Sequence, residues 1–374
     1  MKILMISKAC YVAVYRRKLE CLASYPDVDL TLLVPPYWRS GSRMDWYEPG
    51  YDKGYRTIIK RPAFDGNFHL HFYPGLKDII RDVDPDIIHI DEEPYDLVTF
   101  MALRAGLRHG AKSIFFTWQN IEREFPIPFR WFERSVLRRS DGAIAGNQAA
   151  IDILRNKGFD SPVSLIPQFG VDTELFHPPE DKKKSKNFRI GFAGRLVWEK
   201  GLYVLFDALS ALDSEWELAI IGDGLIRADL AGYADRLGIR DKIFWVGSVP
   251  STKMPEYLSQ LDLLVLPSLT KSNWKEQFGR ALVEAMACGV PVIGSDSGEI
   301  PNVIDDAGIV CPEGDASALR RAIDGLMNDS GLWQRLSAAG RCRAEREYSQ
   351  DVIARRTYKA YKELDHGDTE SLTQ

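Results

Sequence analysis

The sequence predicts an α/β protein built from two doubly wound, parallel-sheet domains that face a cleft between them. Short apolar runs alternate with helical segments of roughly 10–15 residues, the pattern of strands covered by helices on both faces of a sheet. This alternation is interrupted by a charged, proline-containing stretch at 177–186 and then begins again. The stretch is more typical of a solvated linker than of a site for an anionic partner. A chain of 374 residues is long enough to form two cores.

The composition excludes several classes of protein. The chain is 45% hydrophobic and 27% charged, with a net charge of -5, which is normal for a globular protein and unfavourable for nucleic-acid binding. Its five cysteines are scattered and form no C-x-x-C pair, so we expect reduced thiols rather than disulfides or zinc ligands. No apolar run approaches the roughly 18 residues of a membrane span. We therefore expect a cytoplasmic protein, at most peripheral on the inner face of the membrane.

The first domain is predicted to span 1–180. A helix is predicted around Tyr15–Ala23, and the segment 35–66 is polar, aromatic and rich in Gly and Pro, which favours irregular loops. The predicted strands are short apolar runs: Ile3–Ser7, Leu30–Val34, Asp86–Ile90, Ser113–Thr117, Ala143–Gly146 and Val163–Ile166.

The second domain is predicted to span 187–350, with a first helix at Leu202–Leu212. The segment from Ala316 to Leu364 is rich in Arg, Ala and Leu and is predicted to be helical. A C-terminal helix at 351–366 is expected to return toward the first domain, and 367–374 is expected to be a flexible tail. The predicted strands of the second domain are again short apolar runs: Phe188–Ala193, Glu217–Ile221, Lys242–Val246, Leu261–Leu266, Pro291–Ile293 and Gly308–Val310.

Two carboxylates flank a predicted helix start in the second domain. Glu276 lies just ahead of the helix predicted at 281–287, and Glu284 lies on its second turn. The backbone amides of Phe278 and Gly279 fall at the helix N-terminus, where free N–H groups and the helix dipole attract an anion such as a diphosphate. Carboxylates on either side of a phosphate are suited to binding hydroxyl groups. This arrangement matches the chemical outline of a nucleotide sugar.

Two cations precede this element. Arg195 follows the predicted strand 188–193, and Lys200 lies near the start of the next helix, so both can reach over the strand ends. Taken alone, they would more often be ordinary surface cations. The stretch 191–201 is neither a G-x-G-x-x-G loop nor a Walker A motif, which disfavours dehydrogenases and P-loop proteins. The D-x-D at 84–86 precedes its strand, so no metal site is predicted.

These motifs together resemble the retaining enzymes of glycosyltransferase family 4, which have the GT-B fold of two Rossmann-like domains. The resemblance covers nearly all of 188–350 in the expected order, and E-x7-E, from Glu276 to Glu284, is its most specific part. The other matching segments are G-F-A-G-R-L-V-W-E-K-G, I-I-G-D-G, W-V-G-S-V-P, L-P-S-L, A-M-A-C-G-V-P-V-I and S-D-S-G-E-I-P.

The resemblance implies a hexosyltransferase (EC 2.4) that moves a sugar, with retention, from a nucleoside-diphosphate sugar to an acceptor hydroxyl. The acceptor would be a glycan, a lipid-linked molecule or a small molecule, and neither a metal nor another cofactor would be required. Arg195 and Lys200 would bind the diphosphate, Glu276 the donor sugar and Glu284 the ribose. The implied donor-binding set is Gly194, Arg195, Lys200, Val249, Glu276, Phe278, Gly279 and Glu284.

The first domain departs from the family at two loops. The glycine pair common in the first loop is replaced by Ser7–Tyr11, where Lys8 could supply a cation or be a plain surface lysine. Gln119 or Asn120 stands where many members have a histidine, and glutamine cannot act as a base near neutral pH. Gln119 joins Arg195, Lys200 and Glu276 as a predicted catalytic residue. The predicted acceptor side consists of Lys8, Tyr11, Asp91, Glu92, Gln119 and Asn120.

The segment 123–139 combines aromatic residues with five arginines and two glutamates. It could rest on an anionic membrane surface, or it could be an ordinary packed helix with a basic outer face.

Two other functions remain open from the sequence. A nucleotide-sugar epimerase would share the fold but need no acceptor. A noncatalytic nucleotide-sugar-binding protein would account for the missing glycine pair and histidine.

Overall fold

The computed structural model describes residues 1–41, 43–180 and 186–366, and it divides into two compact units. The first unit consists of Met1–Gly170 and the segment that begins at Gln350, and the second is Val171–Ser349. The central part of the predicted linker, 181–185, and the predicted tail, 367–374, lie outside the described residues.

The first unit ends at Gly170, earlier than the boundary predicted at 180. The reason is that the segment after Gly170 binds the second unit. The backbone N–H of Val171 donates to the carbonyl of Tyr348 at 2.7 Å, and Arg341 donates to the carbonyl of the buried Phe176 at 2.6 Å. These contacts join residues far apart in the chain, which composition and charge do not reveal.

The first unit contains a seven-stranded parallel sheet and a separate antiparallel hairpin. In chain order, its strands are β1 (Lys2–Ile6), β2 (Asp29–Val34), β3 (Tyr37–Ser40), β4 (Arg43–Trp46), β5 (Arg56–Ile59), β6 (Ile87–Ile90), β7 (Lys112–Thr117), β8 (Gly142–Ala145) and β9 (Val163–Leu165). The sheet order is β5-β2-β1-β6-β7-β8-β9, and β3 pairs with β4. The helices of this part of the chain are α1 (Arg17–Ala23), α2 (Leu76–Val83), α3 (Leu97–His109), α4 (Phe129–Leu137) and α5 (Gln148–Asn156).

The prediction of irregular structure for 35–66 is wrong in part, because this segment supplies β3, β4 and the edge strand β5. β5 is short and only half-buried, so it lacks the continuous apolar run that marks the inner strands. The predicted helix at Tyr15 also begins differently. A 3₁₀ turn at Ala13–Arg16 precedes α1.

The second unit contains a six-stranded parallel sheet in the order β12-β11-β10-β13-β14-β15. Its strands are β10 (Phe188–Ala193), β11 (Trp216–Ile221), β12 (Ile243–Gly247), β13 (Leu263–Leu266), β14 (Val292–Ser295) and β15 (Ile309–Cys311). Its helices are α6 (Leu202–Ser210), α7 (Arg227–Arg236), α8 (Met254–Leu258), α9 (Arg280–Ala287), α10 (Ile300–Ile304), α11 (Ala316–Asn328) and α12 (Ser330–Arg343). The predicted α/β class with two doubly wound parallel sheets is confirmed.

The final helix, α13 (Gln350–His366), belongs to the first unit. Its Tyr361 hydroxyl lies 2.6 Å from Nδ1 of His89 on β6, and its Tyr358 ring stacks on Tyr25 with a centroid separation of 4.0 Å. Both His89 and Tyr361 are buried. None of the described helices is long and apolar enough to cross a membrane.

Both sheets change winding direction at a central strand. In the first unit β1 lies between β2 and β6, and in the second β10 lies between β11 and β13. The loops that leave the two strands on either side of such a point diverge and open a crevice at the carboxyl edge of the sheet. Most of the predicted functional residues follow these strands, whereas Gln119 and Asn120 follow β7 and Val249 follows β12.

Candidate active site

The centre of the predicted donor site is an ion pair between Lys200 and Glu276. Lys200 follows β10 and Glu276 follows β13, and these strands are neighbours in the second sheet. Nζ of Lys200 lies 2.5 Å from Oε2 of Glu276, and the Ser268 hydroxyl donates to the same oxygen at 2.8 Å. Glu276 is buried and the Lys200 side chain is 14% exposed. The structure therefore brings together two of the four predicted catalytic residues.

Two glycines make this pairing possible because the backbone passes very close behind each partner. A Cβ at Gly201, next to Lys200, would lie 1.8 Å from the carbonyl oxygen of Pro267. A Cβ at Gly298 would lie 2.0 Å from the carbonyl oxygen of Glu276. Both glycines also have positive φ angles, +69° and +58°, which L side chains rarely adopt. Any larger residue would displace the backbone that holds the ion pair.

Helix α9 begins at Arg280, one residue before the predicted start at 281, with Gly279 as its N-cap in the left-handed conformation at φ 79°. Phe278 is buried, and its ring meets that of Tyr348 edge-on at a centroid separation of 5.5 Å. The amides of Phe278 and Gly279 thus come from a backbone that packing holds in place. The N-terminus of this helix follows directly on the Glu276 segment.

Glu284 lies on the second turn of α9, as the spacing predicted. Its Oε1 is 2.9 Å from Nε of Arg280, and its side chain is 9% exposed. Burial raises the pKa of this carboxyl, and the neighbouring guanidinium of Arg280 partly opposes that effect. A buried carboxylate with one cation beside it retains further lone pairs that can accept ligand hydroxyls.

The other predicted donor residues lie at strand ends of the same sheet. Arg195 follows β10 and is exposed. Beside it, the backbone of Gly194 runs so close to that of Gly222 that a Cβ on Gly222 would lie 1.9 Å from the Gly194 carbonyl oxygen. Val249 is half-buried in the loop after β12. Because all of these strands are parallel, Arg195 and Val249 lie at the same edge of the sheet as Lys200.

In the first unit, the loop after β1 meets the segment after β6. The Lys8 ammonium pairs with the buried Glu92 carboxylate, which also accepts the Lys8 backbone N–H at 2.7 Å. The Ser7 hydroxyl donates to Oδ2 of buried Asp91 at 2.6 Å. Lys8 is only 16% exposed, which excludes the alternative of a plain surface lysine. Tyr11 ends a 3₁₀ turn in the same loop and is half-buried.

Gln119 and Asn120 are both buried after β7. The Gln119 side chain is held at both ends, because its Oε1 accepts from Lys157 at 3.3 Å and its Nε2 donates to the Ile121 carbonyl at 3.2 Å. Lys157 in turn contacts Glu133 at 2.6 Å. This amide is therefore oriented by its surroundings rather than mobile.

Glu93 is not in the predicted acceptor-side set, although the sequence offered it with Asp91 and Glu92 as a possible contact for acceptor hydroxyls. Its carboxylate accepts from the Thr117 hydroxyl at 2.7 Å and from the Trp118 backbone N–H at 2.8 Å, so it supports the start of the Gln119 loop. Burial raises the pKa of Glu93 to about 7, against the lowering effect of these two hydrogen bonds. Its position directly after Asp91 and Glu92 at a strand end was the available signal.

Comparison with protein-family models identifies two matches that follow the two halves of the chain. Residues 174–343 match glycosyl transferases group 1, and residues 29–175 match Glycosyltransferase Family 4. The two matches together cover most of the sequence, including every predicted donor-binding residue.

Among curated proteins, the chain is 28% identical over 255 residues to the lipopolysaccharide core biosynthesis mannosyltransferase LpsB of Rhizobium meliloti, covering 62% of this chain and 68% of LpsB. It is 30% identical over 205 residues to the amylovoran biosynthesis glycosyltransferase AmsK of Erwinia amylovora, covering 53% of this chain and 50% of AmsK. The match thus spans half the length of AmsK.

Solved structures share the fold. Anabaena HepE in complex with UDP has a TM-score of 0.74 at 17% identity, covering 97% of this chain and 100% of HepE. Sucrose-phosphate synthase from Thermosynechococcus elongatus also has a TM-score of 0.74, at 20% identity, covering 97% of this chain and 98% of the synthase. The predicted resemblance is confirmed, and the chain belongs to the glycosyltransferases of family 4, with the GT-B fold.

Proposed function

We propose that this protein transfers a sugar from a nucleoside-diphosphate sugar to an acceptor hydroxyl, with retention at the anomeric carbon. The observation that carries this proposal is the Lys200–Glu276 pair beside the N-terminus of α9, at the point where the second sheet changes winding direction. A cation, a helix N-terminus and a buried carboxylate within one loop cluster suit the phosphate and sugar parts of one donor.

In the proposed reaction, the bond between the anomeric carbon and the diphosphate oxygen breaks as the acceptor oxygen attacks from the same face. Lys200, Arg195 and the α9 amides neutralise the charge that develops on the leaving diphosphate. Glu276 accepts hydrogen bonds from the donor sugar, and Glu284 accepts them from the ribose. The acceptor proton passes to the leaving phosphate oxygen, so no side chain has to act as the base and no metal is required.

The acceptor is assigned to the first unit, at the ends of β1, β6 and β7. Here Gln119 contributes a held amide that can orient a hydroxyl, and Asp91 contributes a buried carboxylate with one oxygen already bonded to Ser7. Lys8 serves this side mainly by balancing Glu92, because its ammonium is already paired. Tyr11 and Asn120 lie in the same two loops.

The test is a thermal-shift screen of UDP-, GDP- and ADP-sugars followed by product analysis. A donor that stabilises the protein identifies the base, because stabilisation reports binding to the folded state. HepE, which shares the fold, is described in complex with UDP and with UDP-glucose, so UDP-sugars are the first to screen. Transfer to a hydroxyl acceptor with retained configuration by NMR is expected. Free epimerised donor would instead indicate an epimerase, and binding without any turnover would indicate a noncatalytic protein.

We also propose that 123–139 contacts an anionic membrane surface and presents a lipid-linked acceptor to the first unit. Ile127 is 75% exposed and Trp131 is 54% exposed, and Arg134 on α4 and Arg138 at its C-terminal cap are also exposed. Exposed apolar side chains among arginines are suited to the interface of an anionic bilayer.

Vesicle sedimentation tests this contact. The protein should sediment with vesicles of phosphatidylglycerol and phosphatidylcholine but not with phosphatidylcholine alone, and R134E/R138E should abolish the difference. Equal sedimentation of this double variant and the unmodified protein would show that α4 is an ordinary packed helix with a basic outer face.

A further inference from the structure

A tight turn separates the end of β13 from Glu276. Lys271 and Trp274 form an antiparallel bridge, with backbone N–H groups donating in both directions at 2.7 Å and 3.2 Å. The bridge closes the chain on itself and fixes the direction in which Trp274 leaves the backbone.

The same turn is tied to the rest of the second unit at its beginning. The backbone N–H of Leu269 donates to the carbonyl of Glu199 at 2.7 Å. The Thr270 hydroxyl lies 3.0 Å from that of Ser297, and the Thr270 N–H donates to the Glu313 carboxylate. The turn is thus attached to three other segments of the unit, and Trp274 is held by a supported loop.

The Trp274 ring borders the ion pair at the centre of the donor site. Nζ of Lys200 lies 5.2 Å from the ring centroid, and the same nitrogen lies 2.5 Å from Glu276. Trp274 is only partly buried, whereas Trp216 in the core of the same unit is 1% exposed. Trp274 therefore keeps part of its surface accessible while its ring lies close to the lysine that pairs with Glu276.

A hexose has hydroxyl groups around its edge and apolar C–H groups on its faces. Sites for such ligands combine a few polar side chains that fix orientation with aromatic surface that covers the apolar part. We propose that Trp274 is a specificity-determining residue that packs against the sugar of the donor, beside Glu276. This inference rests on the proposed function and adds the sugar-contacting surface to it.

A different role for the Trp274 ring would have a different effect on ligand binding. If Trp274 acted only as a cation–π partner of Lys200, its removal would disturb the lysine and weaken binding of the diphosphate itself. A nucleoside diphosphate contains the ribose but lacks the donor sugar. Comparing its affinity with that of the matching nucleotide sugar therefore separates the two roles.

The experiment is calorimetric titration of the full chain with UDP and UDP-glucose, and with GDP and GDP-mannose, for wild type, W274A and W274F. For the pair that binds wild type, W274A should lower affinity for the nucleotide sugar by about tenfold, the size of an aromatic contact, while affinity for the diphosphate changes less than twofold. W274F should recover most of the loss. W46A, a tryptophan of the first unit that is 64% exposed, is the control and should bind as wild type.

Equal losses for diphosphate and nucleotide sugar in W274A would assign the ring to Lys200 and overturn the inference. Unchanged affinity for both ligands would also overturn it. A wild-type protein that binds none of the four ligands, and no other nucleotide sugar in the thermal-shift screen, would overturn the proposed function as well, which distinguishes the two failures. Melting temperatures of the variants show that each one folds.

Discussion

Nζ of Lys200 and Oε2 of Glu276 lie 2.5 Å apart although 76 positions separate the two residues in the chain. Each residue neutralises the other in a mostly buried setting, and Ser268 donates a further hydrogen bond to Glu276. Such a pair keeps the cation proposed to bind phosphate and the carboxylate proposed to bind sugar hydroxyls in place before any donor arrives. The site is organised in advance, so little rearrangement is needed at the moment of reaction.

The first prediction concerns the charge of Glu276. E276Q preserves the shape of the side chain but leaves Lys200 without its carboxylate partner, and breaking one side of a buried pair is costly. We expect turnover of the donor to fall by roughly 100-fold, the usual effect of removing one preorganised electrostatic contact, with nucleoside-diphosphate affinity retained. Steady-state turnover and calorimetry measure both quantities. S268A is the matched control and should lose much less activity; wild-type turnover in E276Q would contradict the role of Glu276.

The second prediction concerns Glu284. E284A removes the carboxylate assigned to the ribose, and hydrogen bonds to a charged group contribute about 1.5–3 kcal/mol. Affinity for a nucleoside diphosphate and for the matching nucleotide sugar should therefore fall together, by roughly 10- to 150-fold. R280A leaves the carboxylate in place and should have a much smaller effect. Unchanged affinity in E284A would show that Glu284 is only a structural residue of α9.

The third prediction concerns Gly298, which lies directly behind the backbone of Glu276. In G298A the new Cβ would collide with the Glu276 carbonyl, in addition to the strain of a positive φ. Gly314 has a φ of +77° but nothing within 4 Å of a Cβ, so G314A carries the backbone strain alone. Chemical denaturation should show that G298A is less stable than G314A by about 1–3 kcal/mol, the size of overpacking effects. Equal stabilities would mean that the loop can move away without cost.

The fourth prediction is a pH dependence due to Glu93, whose pKa is raised to about 7 by burial. The pKa of Glu93 in the folded protein exceeds its pKa in the unfolded chain. The contribution of Glu93 to the stability of the fold is therefore fully present below about pH 4.5 and is lost as the pH rises through 7. Asp96 and Tyr95 in the same segment and Lys8 from the loop after β1 are the titratable neighbours.

E93Q removes this titration while its amide can still accept from Trp118 and donate to Thr117. We expect E93Q to be more stable than wild type at pH 8 and similar to it at pH 5. Urea denaturation at each pH measures the free energy of unfolding of both proteins. E124Q, at a side chain that is 91% exposed, makes the same charge change and should show no such pH-dependent difference. A constant offset between E93Q and wild type at both pH values would contradict the assignment.

Much of the fold was predictable because its signals are local. The inner strand β13 is a continuous apolar run, and α9 begins within one residue of the start that its helix-forming residues indicate. The edge strand β5 was missed because half-buried edge positions carry a weaker pattern. The boundary at Gly170 was missed because it depends on the pairing of Val171 with a segment near Ser349.

The α/β class, the two repeats of strand and helix, and the spacing of Glu276 and Glu284 about a helix start all follow from the amino-acid sequence alone. Those properties depend on periodicity within one element or on neighbouring residues. The folded chain was needed to show that Lys200 pairs with Glu276, that Ser268 joins them and that Trp274 borders the pair. These contacts depend on which strands become neighbours in a sheet and on how closely glycines let their loops approach, and neither is encoded in the local pattern.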